Sequence, residues 1–560
     1  MSIRSGSPAE RTWDLQRQSH DERVSAASSY SRGKMVSPKD TTKLLEAVIR
    51  PGDRVCLEGD NQKQADFLAA SLAAVDPKLV SNLHIVQSGV VLAEHLDLFE
   101  TGIAKRLDFS YSGPQGGAIA RALKAGKIEL GAVHTYLELF SRYFVDLTPH
   151  VALTVARCAD RDGNLYMGPN TEDSPVVIEA TAFKQGIVVA QVNELVDKVP
   201  RVDVPGDRVD FVVVAPEHFY IEPLFTRDPA QITETQILGA MLAIKGIYAP
   251  YGVKRLNHGI GFNTAAIELI LPTFAERLGL KGKIATHFAL NPHPTLIPAI
   301  ESGWVEQIHS FGSEVGMDGY MRARPDVFFT GRDGSMGSNR MYCQSAGLYA
   351  TDLFIGSTLQ IDLAGNSSTF TRDRVAGFGG APNMGSDPRG RRHASDPWLQ
   401  AGREAAGGSG ADPRALPRGR KLVVQIVETF GDKMSPTFVE SLDGIELARS
   451  LDLALPPVMI YGDDVSHIVT EEGIANLLFC RTPYEREQAI RGIAGYTDVG
   501  RARDTRAVEE LRARKVIQRP EDLGIDPLDA SRNLLAARSI KELMHWSGNL
   551  YDPPAKFRNW

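Results

Sequence analysis

Only four cysteines occur in 560 residues, Cys56, Cys158, Cys343 and Cys480, and no two are spaced as CxxC. This excludes a disulfide framework and a cysteine zinc site, and points to a reducing cytoplasm. No uninterrupted apolar run approaches the roughly 20 residues of a membrane-spanning helix. The opening MSIRSGSPAERTWDLQRQ also lacks the apolar stretch of a secretory signal, so a protein neither secreted nor membrane-embedded is expected. A net charge of -7, without a basic stripe interleaved with aromatics, gives no reason to expect nucleic acid. No GxxxxGK[ST] phosphate loop and no GxSxG nucleophile elbow is present, and the GFGG cluster lacks GxGxxG spacing. His287 and His293 lie six apart with no carboxylate beside them, so no metal site is expected.

What the chain does contain is the same half twice. DRDGN at Asp160–Asn164 and DLAGN at Asp362–Asn366 each close an apolar run, VALTVARCA in the first case and LFIGSTLQI in the second. Each reads as a buried strand ending in a turn. Downstream, IVVAQVNELVD from Ile187 pairs with LVVQIVETFGD from Leu422, and VDFVVVAP from Val209 pairs with PVMIYGDD from Pro457. The first half opens with strand, loop and helix in VIRPGDRVCLEGDNQKQADFLAASLAAV. The second opens alike in VKRLNHGIGFNTAAIELILPTFAERLGL. Strands alternating with helices predict α/β architecture with mostly parallel sheets, functional loops at the carboxyl ends of the strands, and a ligand cleft between like halves.

The expected divisions are an arm at residues 1–46, extended up to about Asp40, a first domain at 47–245 and a second at 246–545. An insertion rich in Gly, Pro, Arg and Ala runs from Ser386 to Arg420, with a short helix expected at Trp398–Ala405. A charged helical segment follows from Asp504, and an aromatic tail at 546–560 is expected to dock on the body or on another subunit.

Three glycine clusters at strand ends are candidates for holding an oxyanion or phosphate on backbone N–H groups. They are Ser112–Gly117, His258–Asn263 and Gly377–Gly385. The alternative is that these glycines only permit tight turns. THFALNPHPTL sets His287, Asn291 and His293 at a strand end and its Pro-bounded loop, as binding candidates or as hydrogen-bonded structural groups. Glu314 in SFGSEVGMDG reads as a surface glutamate or a carboxylate nucleophile, and Glu471 and Glu472 as charges at a helix N-terminus.

The succession of the GIG loop, DLAGN, GFGG and SHIVTEEGIANLLFCRTPYEREQAI resembles the coenzyme A transferase superfamily of duplicated α/β halves, from roughly Ala47 to Ala537. Within it, ERVSAASS, the long stretch from THFALNPHP to GFGGAPNMG, and the RGRRH insertion resemble the malonate decarboxylase alpha-subunit family. The resemblance implies two tandem coenzyme A transferase-like domains. It implies exchange of acetate for malonate on a thioester of an acyl carrier protein, with no permanently bound cofactor. The thiol belongs to the carrier's phosphoribosyl-dephospho-coenzyme A arm, and beta and gamma decarboxylase subunits are further expected partners in a hetero-oligomer.

Many coenzyme A transferases place a nucleophilic glutamate about thirty residues after the GIG loop; here that stretch reads ATHFALNPHP. Direct attack of the substrate carboxylate on the thioester is therefore expected. Gly259, Gly261, Gly377, Gly379 and Gly380 are the expected backbone donors, and Asn263, His287, Asn291, His293 and Asn383 the expected carboxylate-orienting groups. Arg340, Arg372 and Arg374 are candidates for malonate's second carboxylate. The chemistry is expected on the second half, with the first copy shaping the groove. The other readings are a coenzyme A transferase or thioester hydrolase acting through Glu314, and a carrier-binding scaffold without catalysis.

Overall fold

The structure, a computed structural model, describes residues 12–60, 63–310, 312–332, 336, 340–387, 395–406, 420–558 and 560. Two compact units divide the chain. The first is Met1–Glu222 with Gly331–Met341 and Asp373–Gly379; the second is Pro223–Thr330, Tyr342–Arg372 and Gly380–Trp560. The division thus differs from a single boundary at 245. Two later segments belong with the first unit because their polar groups are satisfied there: Arg340 by Glu172 and Asp173, and the amides of Phe378 and Gly379 by Ser110 O, at 2.6 and 2.8 Å.

In the first unit, strands β1 (Arg54–Leu57), β2 (Leu83–Gly89), β3 (Ala104–Tyr111), β4 (Glu129–Val133), β5 (Val151–Ala159), β6 (Ile187–Leu195) and β7 (Phe211–Val214) lie in the order β7-β6-β5-β1-β2-β3-β4. All these neighbours are parallel. In the second unit β8 (Arg255–His258), β9 (His287–Leu290), β10 (Gln307–Ser310), β11 (Leu353–Gly356), β12 (Leu422–Ile426) and β13 (His467–Thr470) lie in the order β13-β12-β11-β8-β9-β10, again parallel throughout. Six strands therefore repeat in one order. The apolar runs follow from that layout, because a parallel sheet is covered on both faces. In β5 every residue but Arg157 is buried.

The repeated DxxGN phrase has a physical cause. Asp160 Oδ1 accepts the amides of Asp162 (3.1 Å) and Asn164 (3.0 Å), and Asp362 Oδ1 accepts those of Ala364 and Asn366 (both 2.9 Å). Gly163 (φ 85°) and Gly365 (φ 84°) make the left-handed step of each turn. The asparagine then reaches a distant glycine: Gly206 N donates to Asn164 Oδ1 at 2.9 Å, and Gly462 N to Asn366 Oδ1 at 2.8 Å. A Cβ on either glycine would sit 2.2 or 2.1 Å from a carbonyl oxygen of the turn.

This contact corrects the register of the repeat. VDFVVVAP matches VSHIVTEE rather than PVMIYGDD, since β7 follows Gly206 as β13 follows Gly462. PVMI has the hydropathy of a strand, but among its residues only Ile460 pairs, in a single bridge to Ser367. LFIGSTLQI is likewise interrupted: β11 stops at Gly356, and residues 360–361 pair antiparallel with 367–368.

Other elements depart from expectation for equally local reasons. Thr12–Ala27 is a helix, not an extended arm; it contains no Gly or Pro, half of its side chains are strong helix formers, and it is anchored by an ion pair instead of an apolar stripe. Arg23, 7% exposed, forks onto Asp53 at 2.5 and 3.0 Å and also donates to Val48 O. Glu471 and Glu472 form the tip of a two-residue hairpin joining β13 to antiparallel β14 (Gly473–Asn476), so they stand at no helix N-terminus.

Within the insertion, helix Asp396–Ala406 is present and Trp398 is buried, while residues 388–394 and 407–419 lie outside the described residues. The tail docks on the second unit through fully buried Tyr551 and the amide of Asp552, which donates to Gly316 O at 3.0 Å. Among the described residues no helix is long and apolar enough to cross a membrane.

Arg340 is 1% exposed, with its guanidinium 4.5 Å from the Tyr136 ring centroid and its Nε 2.9 Å from Asp173. Removing it leaves Glu172 and Asp173 buried without the guanidinium that contacts them, with Lys63 as the remaining cation of the cluster. Arg340→Met should therefore cost about 3 kcal/mol or more of unfolding free energy, read as a lower urea midpoint at pH 8.

Candidate functional site

The second unit gathers polar groups at the carboxyl edge of its sheet, where β8, β9, β10, β11 and β12 all end. β8 runs into Gly259-Ile260-Gly261 and then helix α1 (Phe262–Ile270). Gly259 is closely approached, since a Cβ would stand 3.1 Å from Gly356 Cα and 3.3 Å from Ile355 O. Gly261 caps the helix at φ 156°, ψ 168°, a region open essentially to glycine alone. Thr264 Oγ1 donates to Gly259 O (2.6 Å) and Gly261 O (3.1 Å), tightening the loop. Asn263 Nδ2 approaches Ser357 Oγ, beyond the end of β11, at 3.4 Å.

One turn further along α1 lies a group that composition alone hides. Glu268 has no solvent exposure, and its carboxylate is shared by three segments. His258 Nδ1 and His293 Nδ1 each lie 2.9 Å from Oε1, and Thr295 Oγ1 donates to Oε2. Burial alone would raise the Glu268 pKa, but the His293 and His258 rings outweigh it and hold it down at about 2. His258 is wholly buried, which pulls its own pKa down; its Nε2 meets the Tyr248 hydroxyl at 2.9 Å. Phe225 stacks on His293, with centroids 5.9 Å apart and planes at 17°.

The segment 224–227 is a strap across these strand ends. Glu314, just past β10, accepts from Thr226 Oγ1 (3.0 Å) and from the amides of Phe225 (3.2 Å) and Thr226 (3.3 Å). It is 1% exposed, so the surface reading is overturned: the chain beyond β10 turns inward and closes over the carboxylate. Burial pushes its pKa up to about 7 against those hydrogen bonds. Arg227 places its guanidinium 5.7 Å from the Phe262 ring centroid.

The expected site residues separate on this frame. Gly259, Gly261, Asn263, Asn291 and His293 come together at the carboxyl edge. His287 does not, because it opens β9 instead of closing it, and a four-residue strand carries it to the opposite edge, where it meets Thr286 Oγ1 at 2.9 Å. Gly259 N donates to Ile355 O (2.7 Å) and Gly379 N to Ser110 O (2.8 Å), so both amides are already engaged. Gly377 bridges to Tyr111 in the first unit. Gly380 and Asn383 flank Gln344 in the second unit; Asn383 Nδ2 donates to its Oε1 at 3.2 Å.

Ser112–Gly117 serves close approach instead of anion binding: Ser112 Oγ donates to Val375 O at 2.5 Å, and a Cβ on Gly116 would sit 2.9 Å from the same oxygen. Among the candidate arginines, Arg340 is committed to Glu172 and Asp173, and Arg372 to Glu446 and Asp443. Among the described residues no group of three or more His, Cys, Asp or Glu is arranged to hold a metal ion.

Glu268, Thr295 and the Phe225–Arg227 strap escape the sequence reading. The available signal was a lone carboxylate inside the apolar run TAAIELIL.

A protonated Glu314 stabilises the fold below pH 4.5, and that stabilisation is lost as pH rises through about 7. The Tm of the wild type relative to Glu314→Gln should accordingly fall between pH 5 and pH 8. A constant difference would contradict the raised pKa.

A family described as malonate decarboxylase, alpha subunit, transporter matches residues 12–560. An acetyl-S-ACP:malonate ACP transferase of Malonomonas rubra is 61% identical over 556 residues, covering 98% of this chain and 100% of that protein. The crystal structure of a Pseudomonas malonate decarboxylase hetero-tetramer in complex with malonate contains a chain 57% identical, with TM-score 0.93, covering 99% of this chain and 100% of that one. An acyl-CoA transferase of Escherichia coli O157:H7, at 14% identity and TM-score 0.51 over 80% of this chain and 88% of its own, shares the fold alone.

Proposed function

Because the chain belongs to the malonate decarboxylase alpha-subunit family, we propose that it exchanges acetate for malonate on the thioester of an acyl carrier protein. The observation that carries this reading is full-length identity of 61% to a transferase of that activity. Malonate and carrier-bound acetyl thioester are the substrates, and malonyl carrier and acetate the products. We place the chain in a hetero-oligomeric decarboxylase, as in the Pseudomonas assembly, with the carrier and the beta and gamma subunits as partners. We also place it in the cytoplasm, where its four free thiols stay reduced. The carrier's phosphoribosyl-dephospho-coenzyme A arm enters as part of the substrate.

The chemistry needs no protein nucleophile. A malonate carboxylate oxygen attacks the acetyl carbonyl, the arm's thiolate leaves, and an acetyl–malonyl anhydride remains. The thiolate then attacks the malonyl carbonyl and acetate departs. The thiolate is a competent leaving group, with an ordinary thiol pKa of about 8.5. Positioning both reactants contributes on the order of 7 kcal/mol or more. Gly261 and the first turn of α1 offer amides to the oxyanion, a role worth about a hundredfold per donor. Gly259 and Gly379 drop from that role because their amides donate elsewhere.

The geometry of Glu314 favours direct attack over a glutamyl thioester. Both carboxylate oxygens already accept hydrogen bonds, and 1% exposure leaves the group no open face for a carbonyl.

The full chain, given acetyl carrier and labelled malonate without other subunits, should release acetate and form labelled malonyl carrier. Absence of acetate release would favour a carrier-binding scaffold. Hydroxylamine added during turnover should leave Glu314 unmodified; a stable hydroxamate on Glu314 would overturn direct attack.

A further inference from the structure

The amino edge of the first unit's sheet carries an open cavity of about 220 Å³ whose wall holds more cations than it pairs. Arg54 opens β1, His150 precedes β5 and Lys184 precedes β6, so three neighbouring strands deliver these side chains to one place. Helix Thr12–Ala27 adds Gln16 and Arg23.

Two carboxylates approach this wall, and both are already paired. Asp53 takes the fork of Arg23, and Asp146 takes Arg142 at 3.0 and 2.6 Å. Arg54 has no such partner. Among the described residues its guanidinium forms no ion pair: Nη1 donates to Thr148 O at 2.7 Å, and Nε is buried without an acceptor. Burial pulls the Arg54 pKa down, and the attraction of Asp146 and Asp108 is opposed by Arg106 and Arg142. An arginine nevertheless keeps its proton, so what this one lacks is a counter-ion.

Lys184 stands in the same position. Its ammonium lies 5.9 Å from the Trp13 ring centroid and meets no carboxylate among the described residues. His150 adds a neutral donor. Its Nδ1 accepts the Arg54 amide at 2.9 Å, so the ring proton sits on Nε2, an assignment that follows from the network. The approach of Nδ1 to Asp53 at 3.4 Å is then no hydrogen bond. Among the described residues Nε2 has no partner, which leaves its N–H to a ligand.

With the pairs set aside, the wall carries two excess cations and a ring N–H. Acetate would neutralise one of the cations. A tetrahedral dianion neutralises both and has oxygens enough to accept from a guanidinium, an ammonium and an imidazole on different sides. We propose that this cavity binds a phosphoryl dianion, free phosphate or the phosphate of a monoester, on Arg54, Lys184 and His150. It lies at the edge opposite the one where a parallel sheet presents its reactive loops, so the assignment is of binding and not of chemistry.

The test is titration of the full chain with inorganic phosphate by calorimetry at pH 8, with ionic strength held constant by chloride. Binding should be saturable at millimolar phosphate, and the Tm should rise with phosphate along the same curve. In Arg54→Met and in Lys184→Met the phosphate Kd should increase about tenfold or more. Arg54→Met also takes the donor from Thr148 O, so if it fails to fold, Lys184→Met, at a partly exposed position, carries the test. Lys105→Met removes an exposed charge from β3 and should leave the Kd unchanged.

A nucleoside 5′-monophosphate separates the two sources. Competition with phosphate at higher affinity identifies the phosphoryl group of a larger molecule; failure to compete identifies the free ion. Absence of saturable binding by the wild type would overturn the site. So would an unchanged Kd in Lys184→Met, or an equal rise in Lys105→Met, which would show a response to net charge alone.

Discussion

A carboxylate sealed from water organises the second unit. Glu268 sits on the inner face of the helix that follows β8, and the ends of β8 and β9 deliver two imidazoles and a hydroxyl to it. Leaving such a group unpaired would cost several kcal/mol, so the HGIG turn and the NPHPT loop are tied to one another through it. Fixing the loops fixes what they present: a glycine-capped helix N-terminus, an Asn291 Oδ1 without a hydrogen-bond partner among the described residues, and the His293 ring. The strap at 224–227 rests on the same frame through Phe225 and Glu314.

The duplicated halves share a second constraint, the clasp in which an aspartate gathers the amides of its own turn and the following asparagine holds a distant glycine. Both copies are intact to within 0.2 Å in their equivalent bonds. Retention of the clasp in both halves marks it as scaffold, whereas the network of Glu268 with His258 and His293 joins the carboxyl ends of β8 and β9. At the matching edge of the first unit, Glu58 and Asp60 beyond β1 stand with Lys63, Glu172, Asp173 and Arg340 in a buried ion cluster. One topology thus carries a packing solution in one half and a set of presented groups in the other.

Much of this was legible before any coordinates. Predominantly apolar strands announce a sheet covered on both faces, as β5 and β12 show, and the paired DxxGN turns announce the duplication. The glycines of HGIG read correctly as a strand-to-helix turn. The errors share an origin in reading hydropathy as pairing. PVMI has the composition of a strand but pairs only through a single bridge at Ile460, the polar Thr12–Ala27 segment is helical without an apolar stripe, and VTEEG looks like a helix entry where it is a hairpin tip. Glu314 looked exposed because its flanking glycines and serine suit a surface loop, yet the chain folds that loop over it.

The sequence by itself determined the local chemistry: the parallel α/β halves, the turn glycines, the lack of cysteine, metal and phosphate-loop motifs, and the absence of a glutamate in ATHFALNPHP. These depend on residues within a few positions of one another, where periodicity and turn preferences act. Tertiary structure alone decided which groups meet. It set His287 and His293 at opposite edges of one sheet, committed the Gly259 and Gly379 amides to carbonyls on other strands, and joined Glu268 to partners 10, 25 and 27 residues away. The reason is strand order: a parallel sheet brings the ends of non-consecutive segments to one edge, and the partners of a buried polar group are fixed by that order.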